Sequence, residues 1–152
     1  MDSAQDTATL AGFFADHSAS GDCYLLDGPV GAGKTHFARS FIQHLQAKSG
    51  VVEDVPSPTF TLVQTYDTDA GEVWHADLYR LSGLDEITEL GLEDAFETAI
   101  TLVEWPDRLG PLAPKRHVFL DFTGDDDPER RRLIATPQGD GWDWLAGAPF
   151  HE

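Results

Sequence analysis

Apolar residues along this chain fall into two periods, and the alternation between them predicts an α/β fold. Over residues 7–17, Leu10, Phe13, Phe14 and His17 share one helical face, with Thr7 as the expected cap. Residues 23–27 then carry the uninterrupted strand-like run Tyr24-Leu25-Leu26. From Thr35 to Ala47 the spacing returns to i, i+4. Phe37, Phe41 and Leu45, flanked by Ala38 and Ile42, make a stripe suited to packing on a sheet. Phe60 to Tyr66 and Glu72 to Ala76 flank the polar stretch Asp67 to Gly71, which predicts an antiparallel hairpin. Leu84 to Phe96 has helical spacing, with Ile87, Leu90 and Leu92 broken at Gly91. Ala99 to Val103 is a short apolar run ending in Glu104, the pattern of a central buried strand. Val118 to Phe122 and Arg132 to Thr136 predict two more strands, joined by the solvated turn Asp125-Asp126-Asp127-Pro128. In Asp54 to Thr61 the prolines of Pro56-Ser57-Pro58 push their predecessors toward extended backbone, so this segment reads as a loop feeding a strand.

One junction between strand and helix carries chemistry. Gly28-Pro29-Val30-Gly31-Ala32-Gly33-Lys34-Thr35 fits G-x-x-x-x-G-K-[ST] and lies between the strand 23–27 and the helix that follows. Small glycines let successive backbone N–H groups close around phosphate oxygens, and the helix N-terminus behind them adds partial positive charge. In such a loop Lys34 reaches the β/γ-phosphates and Thr35 holds Mg²⁺. With no repeat and no linker, residues 1–152 are expected to form a single P-loop NTPase domain. The expected sheet is mixed parallel and antiparallel, flanked by helices.

Charge changes the choice of partners. The formal net charge is −17, from 27 Asp+Glu against 10 Lys+Arg. Such a surface repels phosphate backbones, so any role with nucleic acid requires a partner that supplies the cations. Lys34, Lys48 and Lys115 are the only lysines, and one of them occupies the loop. Cys23 is the sole cysteine, which excludes an internal disulfide and a cysteine-based metal site and suggests a buried strand residue. The acidic start carries no secretory-type apolar segment, and no run approaches the ~18 residues that span a bilayer; a cytoplasmic location is expected.

A P-loop needs a second carboxylate at a strand end, because Mg²⁺ is hard and octahedral and takes one or two protein oxygens beside phosphate and water. Glu104 and Asp121 both end apolar runs. Glu104 is the stronger candidate, since its run is uncharged and stops in a turn at Pro106, whereas Asp121 sits within a continuing strand. Asp77 is a third acid, able to orient the attacking water, to bind Mg²⁺ through water, or to pair with Arg80 at a strand end. His75 alone reads as a packed histidine rather than a base. Ser57, Thr59 and Thr61 fit either an inert turn or a loop that senses the γ-phosphate. Trp105 either packs or, beside Glu104, reports on the site.

Four motifs in order then become recognisable. Gly31-Ala32-Gly33-Lys34-Thr35, Ser57-Pro58-Thr59-Phe60-Thr61-Leu62-Val63, His75-Ala76-Asp77-Leu78-Tyr79-Arg80-Leu81 and Leu102-Val103-Glu104-Trp105-Pro106 resemble the bacterial TsaE family. That family is the small P-loop ATPase of tRNA threonylcarbamoyladenosine biosynthesis, and the resemblance covers roughly residues 5–136. It implies a cytoplasmic ATPase using ATP and Mg²⁺ that works with a threonylcarbamoyl transferase and its non-catalytic paralogue. Through that complex it would reach tRNA, at the adenosine next to the anticodon. It implies that Gly31, Ala32, Gly33, Lys34 and Thr35 bind nucleotide, that Thr35 and Glu104 hold Mg²⁺, and that Asp77 is the acid needed for hydrolysis. It also suggests nucleotide contacts from Thr7 or Thr9 and from a late basic residue, best matched by Arg132. Two departures stand out. His36 replaces the usual second threonine, leaving its backbone N–H as the donor to the α-phosphate, and Pro29 stiffens the loop while removing one N–H.

A small GTPase would need an asparagine-based guanine reader, and the chain has no asparagine. A small-molecule kinase would need a basic lid, for which Arg130-Arg131-Arg132 is the only cluster. A nucleotide-gated adaptor without useful turnover is the non-enzymatic alternative.

Overall fold

The computed structural model describes residues 4–28, 33–48, 50, 55, 62–79, 83–124 and 131–147. Its centre is a six-stranded sheet in the order β2-β3-β4-β1-β5-β6. The strands are β1 (Cys23–Asp27), β2 (Val63–Thr68), β3 (Gly71–Asp77), β4 (Ile100–Glu104), β5 (His117–Gly124) and β6 (Arg131–Gln138). The four inner strands run parallel, β3 beside β4, β4 beside β1 and β1 beside β5. Each edge is closed by an antiparallel partner, β2 on β3 and β6 on β5. The fold is thus the mixed α/β sheet that the alternating periods predict.

Helices cover both faces. On one face α1 (Ala4–Asp16) and α2 (Lys34–Lys48) bury Leu10, Phe14, Phe37, Phe41 and Leu45 against Tyr24, Leu26, Leu102, Leu120 and Phe122. On the other, α3 (Leu84–Leu90), α4 (Leu92–Thr98) and a 3-10 segment (Pro106–Leu112) bury Ile87, Leu92, Phe96 and Leu109 against Cys23, Leu25, Ala76 and Val103. Because successive strand residues point to opposite faces, one β1 run serves both layers, which explains its unbroken apolar character. Burial pushes the Cys23 thiol up to about 12, so the lone cysteine is an inert core residue. Gly91 ends α3 in the left-handed conformation (φ 80°) and lets α4 start in a new direction, the break foreseen at that residue.

Several local expectations change. Thr7 does not cap α1: the helix begins at Ala4, and Thr7 is buried within it. The chain ahead of Thr7 already holds helical geometry, so the residue lies inside the helix and not at its start. His17 lies past the helix end, exposed, with its ring stacked on Trp144 at 5.3 Å. Leu62 is not strand; it takes a left-handed φ of 68° and its carbonyl accepts the Asp77 N–H, so β2 starts only at Val63. The expected turn at 125–128 and nearly all of the proline-rich 54–61 segment lie outside the described residues. After β6, Trp142 and Trp144 return to the α1 face beside Tyr24 and Phe14, a closure that hydrophobic periodicity did not reveal.

Candidate nucleotide site

The site is assembled where β1, β3 and β4 end and α2 begins. β1 delivers Gly28 so close to β5 that a Cβ there would lie 2.2 Å from the Phe122 carbonyl oxygen, at a φ of 139°. Only glycine fits this approach. At Gly33 φ is 102° and, among the described residues, nothing lies within 4 Å of where a Cβ would stand, so no described side chain covers the backbone just before the first turn of α2. The Gly33 carbonyl accepts the Phe37 N–H and starts that helix.

Lys34, the first residue of α2, is 4% exposed. Its Nζ donates to the Gly28 carbonyl at 2.6 Å and sits 3.6 Å above the Trp105 ring centre. Desolvation holds its ammonium below the ordinary lysine pKa, opposed by Glu104, Asp27, Asp77 and Asp107. Trp105 reaches this position through a left-handed backbone (φ 60°), and its ring also meets Tyr79 at 4.9 Å between centroids. Its N–H is held by the Leu26 carbonyl, which ties the end of β4 to β1.

Thr35 comes next, and its hydroxyl donates to Glu104 across 69 positions of sequence, at 2.9 Å to Oε1 and 3.1 Å to Oε2. Glu104 is 2% exposed, and its second oxygen accepts from His75 Nε2 at 2.7 Å. Asp77 is the register partner of Glu104 on the neighbouring strand. It is buried, and its Oδ1 accepts the Tyr79 N–H at 3.0 Å in a turn that ends β3. Asp121 instead lies on β5 opposite Asp27 and Ile134, inside the strand as its sequence context suggested.

Lys34, Thr35, Asp77 and Glu104 are therefore brought to one end of the sheet by parallel pairing of strands far apart in sequence. Thr9 is exposed on α1 and lines a groove with Ala8, Gly12, Phe13, Asp16 and His44, none of which belongs to that group. His36 is half-buried in the first turn of α2. Arg132 stands on β6 opposite Thr123, its side chain outside the described residues, as are Gly31 and Ala32 and the loop of Ser57, Thr59 and Thr61. Sequence reasoning gave His75 only a packing role. The signal for more was its position two residues before Asp77, which places both side chains on one face of β3.

The sequence profile described as "Threonylcarbamoyl adenosine biosynthesis protein TsaE" matches residues 1–133. The chain belongs to the TsaE family. Relatives named "tRNA threonylcarbamoyladenosine biosynthesis protein TsaE" include one from Rickettsia felis, 40% identical over 99% of this chain and 87% of its own length. Another from Bacillus subtilis is 31% identical over 93% of this chain and 85% of the relative. Among solved structures, Bacillus subtilis YdiB superposes with a TM-score of 0.68 at 26% identity, covering 91% of this chain and 82% of that one. The TsaE resemblance read from four motifs therefore extends through the whole described fold.

Proposed function

We propose that this TsaE-family protein binds ATP with Mg²⁺ and hydrolyses it in the cytoplasm, in support of threonylcarbamoylation of the tRNA adenosine next to the anticodon. It would act on the threonylcarbamoyl transferase and its non-catalytic paralogue. The observation that carries this reading is the bonded pair Thr35–Glu104, set directly behind Gly33. A hydroxyl and a carboxylate are hard oxygen donors of the kind Mg²⁺ takes. Among the described residues no three His, Cys, Asp or Glu side chains converge to hold an ion alone, so a cation here draws its remaining oxygens from phosphate and water.

When bound, the ion neutralises charge developing on the transferred phosphoryl oxygens. The chain's own residues do the rest. Lys34 exchanges the Gly28 carbonyl for phosphate oxygens, the amide groups from residue 31 to His36 cradle the phosphates, and Thr35 with Glu104 fixes the cation. Asp77 orients the attacking water, being buried beside Glu104 with one oxygen already engaged by the Tyr79 N–H. Thr9 and Arg132 supply contacts to the remainder of the nucleotide.

Reconstitution tests this directly. With tRNA, the transferase pair and pre-made threonylcarbamoyl-adenylate, repeated rounds of modification should require this chain and hydrolysable ATP. Full turnover with the chain omitted, or with a non-hydrolysable analogue in place of ATP, would overturn the hydrolytic role.

A further inference from the structure

His75 is fully buried, yet only one of its ring nitrogens has a partner among the described residues. Nε2 lies 2.7 Å from Glu104 Oε2, while Nδ1, also buried, has no hydrogen-bond partner among them. A carboxylate accepts and cannot donate, so Nε2 carries the hydrogen of this bond. As a mere core residue this is a poor choice. Its register neighbour on β4 is Leu102, and a leucine at this position would leave no polar atom unpaired. What the imidazole provides is a single rigid donor aimed at Glu104 from the strand next door.

We propose that His75 is a positioning residue for Glu104. Its Nε2–H pins Oε2 so that the carboxylate keeps the rotamer in which Oε1 meets the Thr35 hydroxyl, the pair that would share a divalent cation. The inference rests on the reading of this site as a Mg²⁺–nucleotide centre. Groups that bond to a metal's ligand from outside the coordination shell set its direction, and their loss weakens metal binding without removing any ligand. His75 also sits on the same face of β3 as Asp77, so one strand holds both the orienting donor and the second acid.

The test is a Mg²⁺ titration of ATP binding, followed calorimetrically, in four folded variants. His75→Leu should raise the Mg²⁺ concentration for half-saturation about tenfold or more, while His75→Gln, whose amide reproduces the Nε2 donor, should stay within about threefold of wild type. Binding of ATP without Mg²⁺ should be unchanged in both. In a Glu104→Gln background, His75→Leu should add no further loss, because its effect passes through that carboxylate. Should His75→Leu fail to fold, His75→Asn replaces it: its shorter amide misses Glu104 and should behave as the donor-less variant. A wild-type Mg²⁺ midpoint in His75→Leu or His75→Asn, or losses that add to those of Glu104→Gln, would overturn the proposal. If the unmutated protein binds ATP no tighter with Mg²⁺ than without it, the reading of the site falls, and this inference with it.

Discussion

Lys34 shows how a single residue can be held at some expense for a ligand. Its ammonium is desolvated and its pKa lies below the ordinary lysine value. The unfolded chain therefore binds more protons between that lowered value and about 10.4, and folding stability from this group rises with pH through that window. Below the window the charged lysine costs its full penalty. Lys34→Met should accordingly raise the melting temperature near neutral pH, at about 2–4 °C per kcal/mol for a domain of this size, and the gain should shrink as pH climbs toward the lysine range. The same variant should lose all stabilisation by ATP in scanning fluorimetry. Glu104 and Asp121 differ in what they touch, and only Glu104 meets Thr35. Glu104→Gln should weaken Mg²⁺-dependent ATP binding by tenfold or more, roughly 1.4 kcal/mol, and Asp121→Asn should leave it unchanged. Asp77→Asn should retain ATP and slow its hydrolysis, as a binding isotherm beside a phosphate-release assay will show.

At the scale of elements, the two ends of the segment joining β1 to α2 are glycine for different reasons. Gly28 is required by packing, since its Cβ would overlap the Phe122 carbonyl. Gly33 has space around it among the described residues but a positive φ. Gly28→Ala should therefore cost about 3 kcal/mol or more in urea unfolding and also lose ATP, because β1 and β5 must part. Gly33→Ala carries only the conformational strain, about 1–3 kcal/mol, and its larger effect should fall on ATP affinity. Equal destabilisation by the two substitutions would contradict this division. α2 joins the two concerns: its Phe37, Phe41 and Leu45 stripe fixes the helix on the sheet, and that placement aims its first residues, Lys34 and Thr35, at Trp105 and Glu104.

For the whole molecule, charge dominates. The net charge of −17 is concentrated in places such as α3 and α4, where Asp85, Glu86, Glu93 and Asp94 occupy the first turns and neither helix contains a basic residue. Among the described residues no helix is long and apolar enough to cross a membrane. Such a chain repels itself and tRNA alike, so the proposed function requires it to dock on a basic surface of the transferase pair, one that tRNA also seeks. Salt should then act with opposite signs. Added sodium chloride should raise the melting temperature of the isolated protein by screening self-repulsion, and weaken its association with the transferase pair. Excess tRNA should displace it, as competition binding would show; a stable complex of all components at saturating tRNA would favour simultaneous action instead.

Much of this protein was legible from local pattern, because local pattern is what period and turn chemistry encode. The apolar stripe of α2, the break at Gly91 and the hairpin of β2 and β3 each depend on residues close in sequence. That Glu104 ends its strand while Asp121 lies within one also followed from where each apolar run stopped. Tertiary structure decided the contacts between distant segments. Parallel pairing of β3, β4 and β1 sets Asp77 beside Glu104 and Glu104 against Thr35, and no local spacing could state that register. His75 acquires its meaning only when β4 lies next to β3, and Trp105 only when its left-handed turn brings the ring beneath Lys34. Thr7 was misread as a cap for the converse reason: a helix start depends on the residues before it, whereas the burial of the residue depends on the sheet beneath it. Sequence thus determines which segments are helix and which are strand, because those choices are settled by neighbours along the chain; the assembled sheet alone determines which acid meets which hydroxyl, because that is settled by neighbours in space.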